Sequence, residues 1–279
     1  MGCLTVGKKL LVCDLDGTLL NSEERITAYT QDVLLRAKRA GMLICFASGR
    51  NEQLMNVYCS QIGNCDYIIS DNGALVRCGP GGEVIRASVM PQHINAAIMN
   101  HLFRNDIKFA QYSKDMIYWT PGNIRIERRF RFYEALSREM GCPLILKKEI
   151  VNMQPGRGYP GILKTVAYEE NDLKIREIIR FTQNYPELRC EATGYGQTGL
   201  FNVSVSKKTA LIQVIRHAGV CVDRVYVFGD YENDLSMFEC AKNRIAMANA
   251  VPSLKEKADF VTRSNDENGV AYYIENFLL

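Results

Sequence analysis

Two acids one residue apart, Asp14 and Asp16, follow the apolar run Leu10-Leu11-Val12-Cys13 and stand directly before Gly17. Residues two apart in a strand point to the same face, but these straddle a strand end, so what each presents depends on how the chain bends there. Carboxyls this close repel, which raises the pKa of one of them unless a cation or an arginine intervenes. The pair therefore implies either a metal ion or a tuned acid and base. Further polar clusters end apolar runs elsewhere: Ser48-Gly49, Asp71-Asn72-Gly73, and Gly229-Asp230 followed by Asn233-Asp234. Open parallel sheets bind ligands outside the carboxyl ends of their strands. With the preceding runs as parallel neighbours, one rim gathers Asp14, Asp16, Asp230 and Asp234, with Ser48 and Lys207 as candidates to join it. That many carboxylates in a small site require cationic charge, and Mg²⁺, which takes oxygen ligands and commonly pairs one or two carboxylates with a substrate phosphate, is the natural partner. Ser48-Gly49 is expected to open a helix whose free N–H groups and hydroxyl hold a phosphate. Lys207 would neutralise a phosphoryl oxygen as a point charge. The set suits phosphoryl transfer, where positioning and charge stabilisation do most of the catalysis.

The elements that must position these groups follow from hydrophobic periodicity. Residues 9–14 read as a buried strand. A helix capped by Thr27 carries the stripe Val33, Leu34, Ala37 and Ala40 and stops at Gly41. Residues 43–47 form the next strand, a helix runs from Ser48-Gly49-Arg50 to about residue 62, and 67–69 make a third strand. This βαβαβ rhythm predicts a parallel sheet covered on both faces. Leu75-Val76 and Val84-Ile85 flank the turn Cys78-Gly79-Pro80-Gly81-Gly82, which predicts a hairpin. From about residue 90 to 203 the order changes to helix, paired strands, helix, strand, then strand, helix, strand. There, 111–119 reads as two strands joined at Ser113-Lys114-Asp115, and 155–161 as a loop. This stretch predicts an α+β domain inserted in the first. Beyond Lys207 the earlier rhythm returns, with a helix at 209–218 ended by Gly219, a strand at 225–228, a helix at 233–241, and strands near Ile245 and Phe260.

A chain of 279 residues is comfortable for two domains. Its 34 Lys and Arg against 31 Asp and Glu leave a net charge of +3, too little to argue for nucleic acid. The tightest basic cluster, Arg125, Arg128, Arg129 and Arg131, is interleaved with Ile126 and Phe130 and reads as a solvated helix face. No apolar run approaches the ~20 residues that span a bilayer, and no signal-peptide core is visible. Met1-Gly2-Cys3-Leu4-Thr5-Val6 resembles a myristoylation signal but has Val6 where Ser or Thr is required. A cytoplasmic protein with no membrane association and no obligate protein partner is expected. None of the 10 cysteines forms a Cys-x-x-Cys pair. Cys13 and Cys45 sit in apolar runs, and reduced structural thiols are the expected state. His93, His101 and His217 are scattered, fit no zinc motif, and read as surface or packing residues.

Taken in order, Asp14-Leu-Asp16-Gly-Thr18, Ser48-Gly-Arg50, Lys207 and Gly229-Asp230-x-x-Asn233-Asp234 resemble the haloacid dehalogenase-like superfamily, and within it the Cof-type sugar-phosphate phosphatases. Ser70-Asp71-Asn72-Gly73-Ala74, Met247-Ala248-Asn249-Ala250, Ala258-Asp259 and Asn268-Gly269-Val270 extend the resemblance. It implies an α/β fold: a Rossmann-like catalytic core at 1–86 and 203–279, a parallel sheet with helices on both faces, and an inserted α+β cap at 87–202 that selects the substrate. It also implies a Mg²⁺-dependent phosphatase acting on a small phosphorylated metabolite. Asp14 would be the nucleophile that becomes an aspartyl phosphate, and Asp16 the general acid and base. Asp14, the backbone carbonyl of Asp16, and Asp230 would hold the metal, with Asp234 supporting it through water. Ser48, Gly49, Lys207 and Asn233 would hold phosphate, with Asn72 at the same rim. Lys208 stands where relatives often have glycine, and the spacing to Ala210-Leu211 favours Lys207 as the motif lysine. A phosphosugar mutase sharing the aspartyl phosphate and a non-enzymatic phosphometabolite binder are the alternatives. Isomerisation without phosphate release would mark the first, and binding without turnover the second. In the inserted segment Trp119, Tyr112, Arg125 and Arg157 could line a substrate pocket, although strand aromatics more often pack a core and loop arginines are more often solvated.

Overall fold

The computed structural model describes residues 7–142, 144, 146–152, 158–194 and 196–279. Met1 to Val6, Arg157 and part of the loop at 155–161 lie outside these residues. The chain forms two compact units, one from Met1–Arg86 with Ser206–Leu279 and the other from Ala87–Val205. The second unit thus extends past the expected end at 202. Two hydrogen bonds tie these residues to the second unit: the Val203 N–H donates to Glu187 O at 2.7 Å, and the Arg189 side chain donates from Nη1 to Val205 O at 2.6 Å.

The first unit begins with β1 (Leu10–Cys13), buried at every position. Burying such aliphatic side chains contributes about 1.5–3 kcal/mol each. In α1 (Ala28–Arg39) the Thr27 side chain accepts from the Thr30 N–H, and Val33, Leu34 and Ala37 face the core. Next come β2 (Leu43–Ala47), α2 (Glu52–Ser60) and β3 (Tyr67–Ser70), a short 3₁₀ turn at Asp71–Gly73, β4 (Leu75–Arg77) and β5 (Val84–Ala87).

The second unit contains α3 (Gln92–Arg104), β6 (Lys108–Ser113), β7 (Ile117–Trp119), α4 (Ile124–Glu139), β8 (Lys148–Ile150), β9 (Ile162–Tyr168), α5 (Asp172–Thr182), β10 (Leu188–Gly194) and β11 (Gln197–Asn202). Its sheet runs β10-β11-β9-β6-β7-β8, antiparallel except for the parallel pair β7–β8. Alternation along the strands sorts the core onto two faces. Phe109 and Ala167 pack with Ile94, Ile98 and Leu102 of α3 and Ile178 of α5, whereas Ala110, Tyr112 and Val166 pack with Ile126 and Phe130 of α4.

The chain then re-enters the first unit with α6 (Lys207–Ala218), which starts two residues earlier than the pattern suggests because the Ser206 side chain caps it by accepting from the Thr209 N–H. There follow β12 (Val225–Gly229), a 3₁₀ turn at Glu232–Asp234, α7 (Leu235–Phe238), β13 (Asn243–Ala246), α8 (Pro252–Lys255), β14 (Phe260–Val261) and α9 (Gly269–Phe277). The helix expected at 233–241 is reduced to α7, its entry tightened into the 3₁₀ turn where the Asp234 carboxylate accepts the N–H of Tyr231. The eight-stranded sheet runs β14-β13-β12-β1-β2-β3-β4-β5. It is parallel from β14 to β3, and β4 lies antiparallel to β3. Helices flank it: α1 packs with α9, and α6 packs with α7 and across β3 and β4. From β1 the chain winds towards β2 and β3 on one side and later returns through β12 on the other. That reversal is the switch point where open α/β sheets place their ligands. The described cysteines are free thiols, and no helix among the described residues is long and apolar enough to cross a membrane.

Candidate active site

The acids expected at the rim meet beside the switch point. Asp14 follows β1, its N–H donating to Phe228 O of β12 at 3.1 Å, and its side chain is buried. Lys207, the first residue of α6, is buried as well. Its Nζ donates to Asp14 Oδ1 at 2.5 Å and to Asp234 Oδ1 at 2.7 Å. The second oxygen of Asp234 accepts the N–H groups of Asp230 at 3.1 Å and Tyr231 at 3.3 Å. Asp234 thus spends both oxygens in fixing the lysine and the turn that carries Asp230. Asp230 accepts from Thr18 Oγ1 at 3.1 Å. One carboxylate oxygen from each of Asp14, Asp230 and Asp234 lies within 4.8 Å of the others.

Gly17 makes this approach possible. Its φ of +74° suits glycine, and a Cβ there would collide with the Asp230 carboxylate. The loop after β1 is pinned from the far end of the chain. Asn249 Nδ2 donates to Gly17 O at 2.8 Å, Asn265 Nδ2 to Leu20 O at 2.9 Å, and Thr27 Oγ1 to Asn268 Oδ1 at 2.6 Å. The loop parts the two motif acids. While Asp14 is buried, the Asp16 side chain is 54% exposed and pairs with Arg50, whose guanidinium is buried. Arg50 Nε donates to Asp16 Oδ2 at 2.8 Å, Nη2 reaches the other Asp16 oxygen and Glu24 Oε2, and Nη1 donates to Tyr58 Oη at 3.1 Å. Sequence reasoning missed this anchor. The signal that points to it is the need of adjacent acids for a cation or an arginine, which Arg50 of the Ser48-Gly49-Arg50 motif meets.

Ser48-Gly49 does not open a helix. Asn51 intercepts that role, its side chain accepting from the Gln53 N–H, so α2 begins at Glu52 and residues 48–50 form a loop. The Ser48 hydroxyl accepts the Arg50 N–H at 3.1 Å, and the Ser48 carbonyl accepts the Asn72 N–H at 3.1 Å. A Cβ on Gly49 would lie 2.7 Å from Asn72 Oδ1, so these residues share one tight patch beyond β2 and β3. Asn233 stands half-buried on the 3₁₀ turn next to Asp234. In the second unit, Tyr112 Oη lies 3.4 Å from Tyr168 Oη, Trp119 meets Phe130 edge-on with centroids 6.0 Å apart, and Arg125 bonds Gly196 O and Glu170. All three make contacts within that unit.

The acid cluster is short of positive charge. Burial pushes the Asp14 carboxyl well above the usual carboxylate range. Lys207 pulls it down, and Asp234, Asp230 and Asp16 push it further up. Burial and then Asp234 push Asp230 up to about 7, against Thr18 and Lys207. Lys207 itself stays charged, because two carboxylates outweigh the burial that would neutralise it. A divalent cation among these oxygens would relieve the acids, and a donor set made only of oxygen suits a hard ion.

Comparison with known proteins agrees with this architecture. The sequence model of the haloacid dehalogenase-like hydrolases matches residues 11–274. The chain is 30% identical over 284 residues to 5-amino-6-(5-phospho-D-ribitylamino)uracil phosphatase YwtE of Bacillus subtilis, covering 97% of this chain and 98% of that protein. A haloacid dehalogenase-like hydrolase from Bacteroides thetaiotaomicron has the same fold, with a TM-score of 0.84 at 22% identity over 97% of this chain and 100% of the other. The subclass IIB sugar phosphatase BT4131 superposes with a TM-score of 0.77 at 23% identity, over 96% and 98% of the two chains.

Proposed function

The chain belongs to the haloacid dehalogenase-like hydrolases, a superfamily of phosphatases and phosphotransferases, and from that membership we propose that it is a Mg²⁺-dependent phosphatase of small phosphorylated metabolites. The observation that carries the reading is the buried Asp14 carboxylate, held 2.5 Å from Lys207 Nζ and within 4.8 Å of the carboxylate oxygens of Asp230 and Asp234. Asp14 attacks phosphorus and the bond from phosphorus to the ester oxygen breaks; Asp16, released from its pair with Arg50 and protonated from solvent, gives that proton to the ester oxygen. Water then attacks the phosphorus of the Asp14 acyl phosphate, Asp16 takes the water's proton, and inorganic phosphate leaves with Asp14 restored. Such acid–base work is worth ~10²–10⁴ in rate, and the covalent step divides one hard displacement into two easier ones. Because Asp16 is half in solvent while Asp14 is buried, the same motif supplies one proton carrier and one shielded nucleophile.

Asp14, Asp230 and the backbone carbonyl of Asp16 would hold the Mg²⁺, with Asp234 supporting the site through its grip on Lys207 and on the Asp230 turn. The ion supplies charge for the phosphoryl oxygens as the bond order to phosphorus changes. Ser48, Gly49, Lys207 and Asn233 are the proposed phosphate contacts, with Asn72 backing Gly49. The inserted unit is the proposed source of substrate selectivity. The Bacillus relative is named for a phosphate ester on a sugar-alcohol chain, so sugar-alcohol and sugar phosphates lead the compounds to screen. Purified protein with Mg²⁺ is expected to release phosphate from members of such a panel, and Asp14→Asn to lower the rate by at least about 10³-fold. An Asp14→Asn variant as active as the parent would sink the mechanism.

A further inference from the structure

A second set of metal-ligating side chains lies at the other end of the same sheet. Cys78 directly follows β4, Glu83 directly precedes β5, and His217 occupies the last turn of α6. Sulfur, carboxylate oxygen and imidazole nitrogen all lie within 4.8 Å of one another. The topology fixes the location. Because β4 runs antiparallel to β3, Cys78 lies beside the first residue of β3 rather than at the rim where β3 ends. His217 stands ten residues along α6 from Lys207, about 15 Å at the helical rise.

From these observations we propose that Cys78, Glu83 and His217 form a Zn²⁺ site, separate from the acid cluster, that staples the β4–β5 hairpin to the end of α6. The donors fit this ion better than Mg²⁺, since a thiolate and an imidazole suit borderline-soft metals and are poor ligands for hard ones. Cys78 Sγ lies 3.7 Å from His217 Nε2 and 3.8 Å from Nδ1. Bond lengths of about 2.3 Å to sulfur and 2.0–2.1 Å to nitrogen put those atoms about 3.6 Å apart across a tetrahedral ion. Tyr67 Oη lies 3.2 Å from His217 Nδ1, which leaves Nε2 as the metal-facing nitrogen. With metal on Nε2, the Nδ1–H donates to the tyrosine, the kind of outer hydrogen bond that orients metal-binding histidines.

The hairpin that offers the other two ligands is already braced. The Cys78 N–H donates to Glu83 O at 3.0 Å. The buried Glu52 carboxylate accepts the Gly81 N–H at 2.9 Å and lies 2.7 Å from Arg77 Nε, and Arg77 Nη1 donates to Gly82 O at 2.8 Å. Backbone positions at 78 and 83 are thus set before any ion arrives, and the exposed Glu83 and His217 side chains complete the site by adjusting around it. Cys78 binds as its thiolate and its proton goes to solvent, and three protein ligands leave the fourth position to water.

The test is a cobalt titration of the full, reduced chain in excess Mg²⁺, which occupies the acid cluster and leaves the mixed-donor site to the probe. One equivalent of Co²⁺ is expected to produce a thiolate-to-cobalt charge-transfer band that added Zn²⁺ bleaches. Cys78→Ser should abolish the band, and His217→Gln and Tyr67→Phe should each weaken Co²⁺ binding by about 10–100-fold. Far-UV circular dichroism reports whether each variant folds, and the exposed Glu83→Gln, expected to weaken binding by about 10-fold, gives an independent arm. No band in the parent, or a band that persists in folded Cys78→Ser, would overturn the assignment. Phosphate release is not the readout, so this result stands or falls apart from the reading of the acid cluster.

Discussion

At the carboxyl end of the parallel strands, two buried carboxylates, the partly buried Asp230 and a buried lysine meet at the rim, and every metal-binding atom is oxygen. At the opposite end of the same sheet, a thiol, a carboxylate and an imidazole stand partly or fully in solvent. Both triads span no more than 4.8 Å, so distance alone does not distinguish them. Burial and donor type do. Buried acids make the first triad a problem of charge that the fold must answer even at rest, and Lys207 is the standing part of that answer. Solvated donors leave the second triad at little cost without an ion, so a metal there adds a link and relieves nothing. The same count of ligands can thus be an obligation at one end of a domain and an option at the other.

The largest way to break this contrast is to remove the resident cation. Lys207→Met should cost about 3–5 kcal/mol in urea unfolding with chelator present, because it strands Asp14 and Asp234 as buried charges. Added Mg²⁺ should recover part of that loss, and equal losses with and without Mg²⁺ would refute the charge argument. Gly17→Ala comes next. The positive φ and the collision with Asp230 should cost about 1–3 kcal/mol and weaken Mg²⁺ binding measured by calorimetry. Unchanged affinity would mean that Asp230 is not held where the metal needs it.

A smaller effect sharpens the electrostatics. Asp230 is raised from an ordinary 3.8 to about 7, so the folded chain keeps a proton there that the unfolded chain gives up. Its contribution to stability is complete below about pH 4 and is lost as pH rises through about 7. Magnesium needs the ionised form, so its effect on the thermal midpoint should be larger near about pH 8 than near about pH 6. Equal shifts at both would remove Asp230 from the metal site. The smallest expected effect belongs to the other triad: Cys78→Ser should change metal-free stability by no more than about 0.5 kcal/mol. A loss of several times that would show the thiol to be a core residue rather than a solvated ligand.

How far the sequence could be read differs between these ends for a physical reason. Asp14 and Asp230 were legible because each follows an apolar strand directly, and a parallel sheet brings such positions to one edge whatever the loops do; Asp234 comes with them on the turn that follows Asp230. The loops were less legible. Ser48-Gly49 looked like a helix start because a small polar pair followed a strand, but Asn51, a stronger cap, lay three residues on and moved the helix past them. The grip of Lys207 on two acids required knowing that Ser206 caps α6 and turns residue 207 inward. The Arg50–Asp16 pair joins residues 34 apart across a loop, with no periodicity to announce it. Cys78, Glu83 and His217 share no motif at all. They meet only because α6 packs across β3 and β4, a contact between elements that local pattern does not encode.

The pinning of the loop after β1 bears on how the molecule is made. Asp14 waits 193 residues for its lysine, and Gly17 waits 232 for the Asn249 amide that holds its carbonyl. A ribosome adds those residues at roughly 5–20 per second, so the acids at the start of the chain spend on the order of ten seconds or more without their partners. During that interval the loop has neither counter-charge nor clamp, and its carboxyls must remain hydrated. The charged centre is therefore the part of the first unit that synthesis completes late, after the whole inserted unit has emerged and had time to fold.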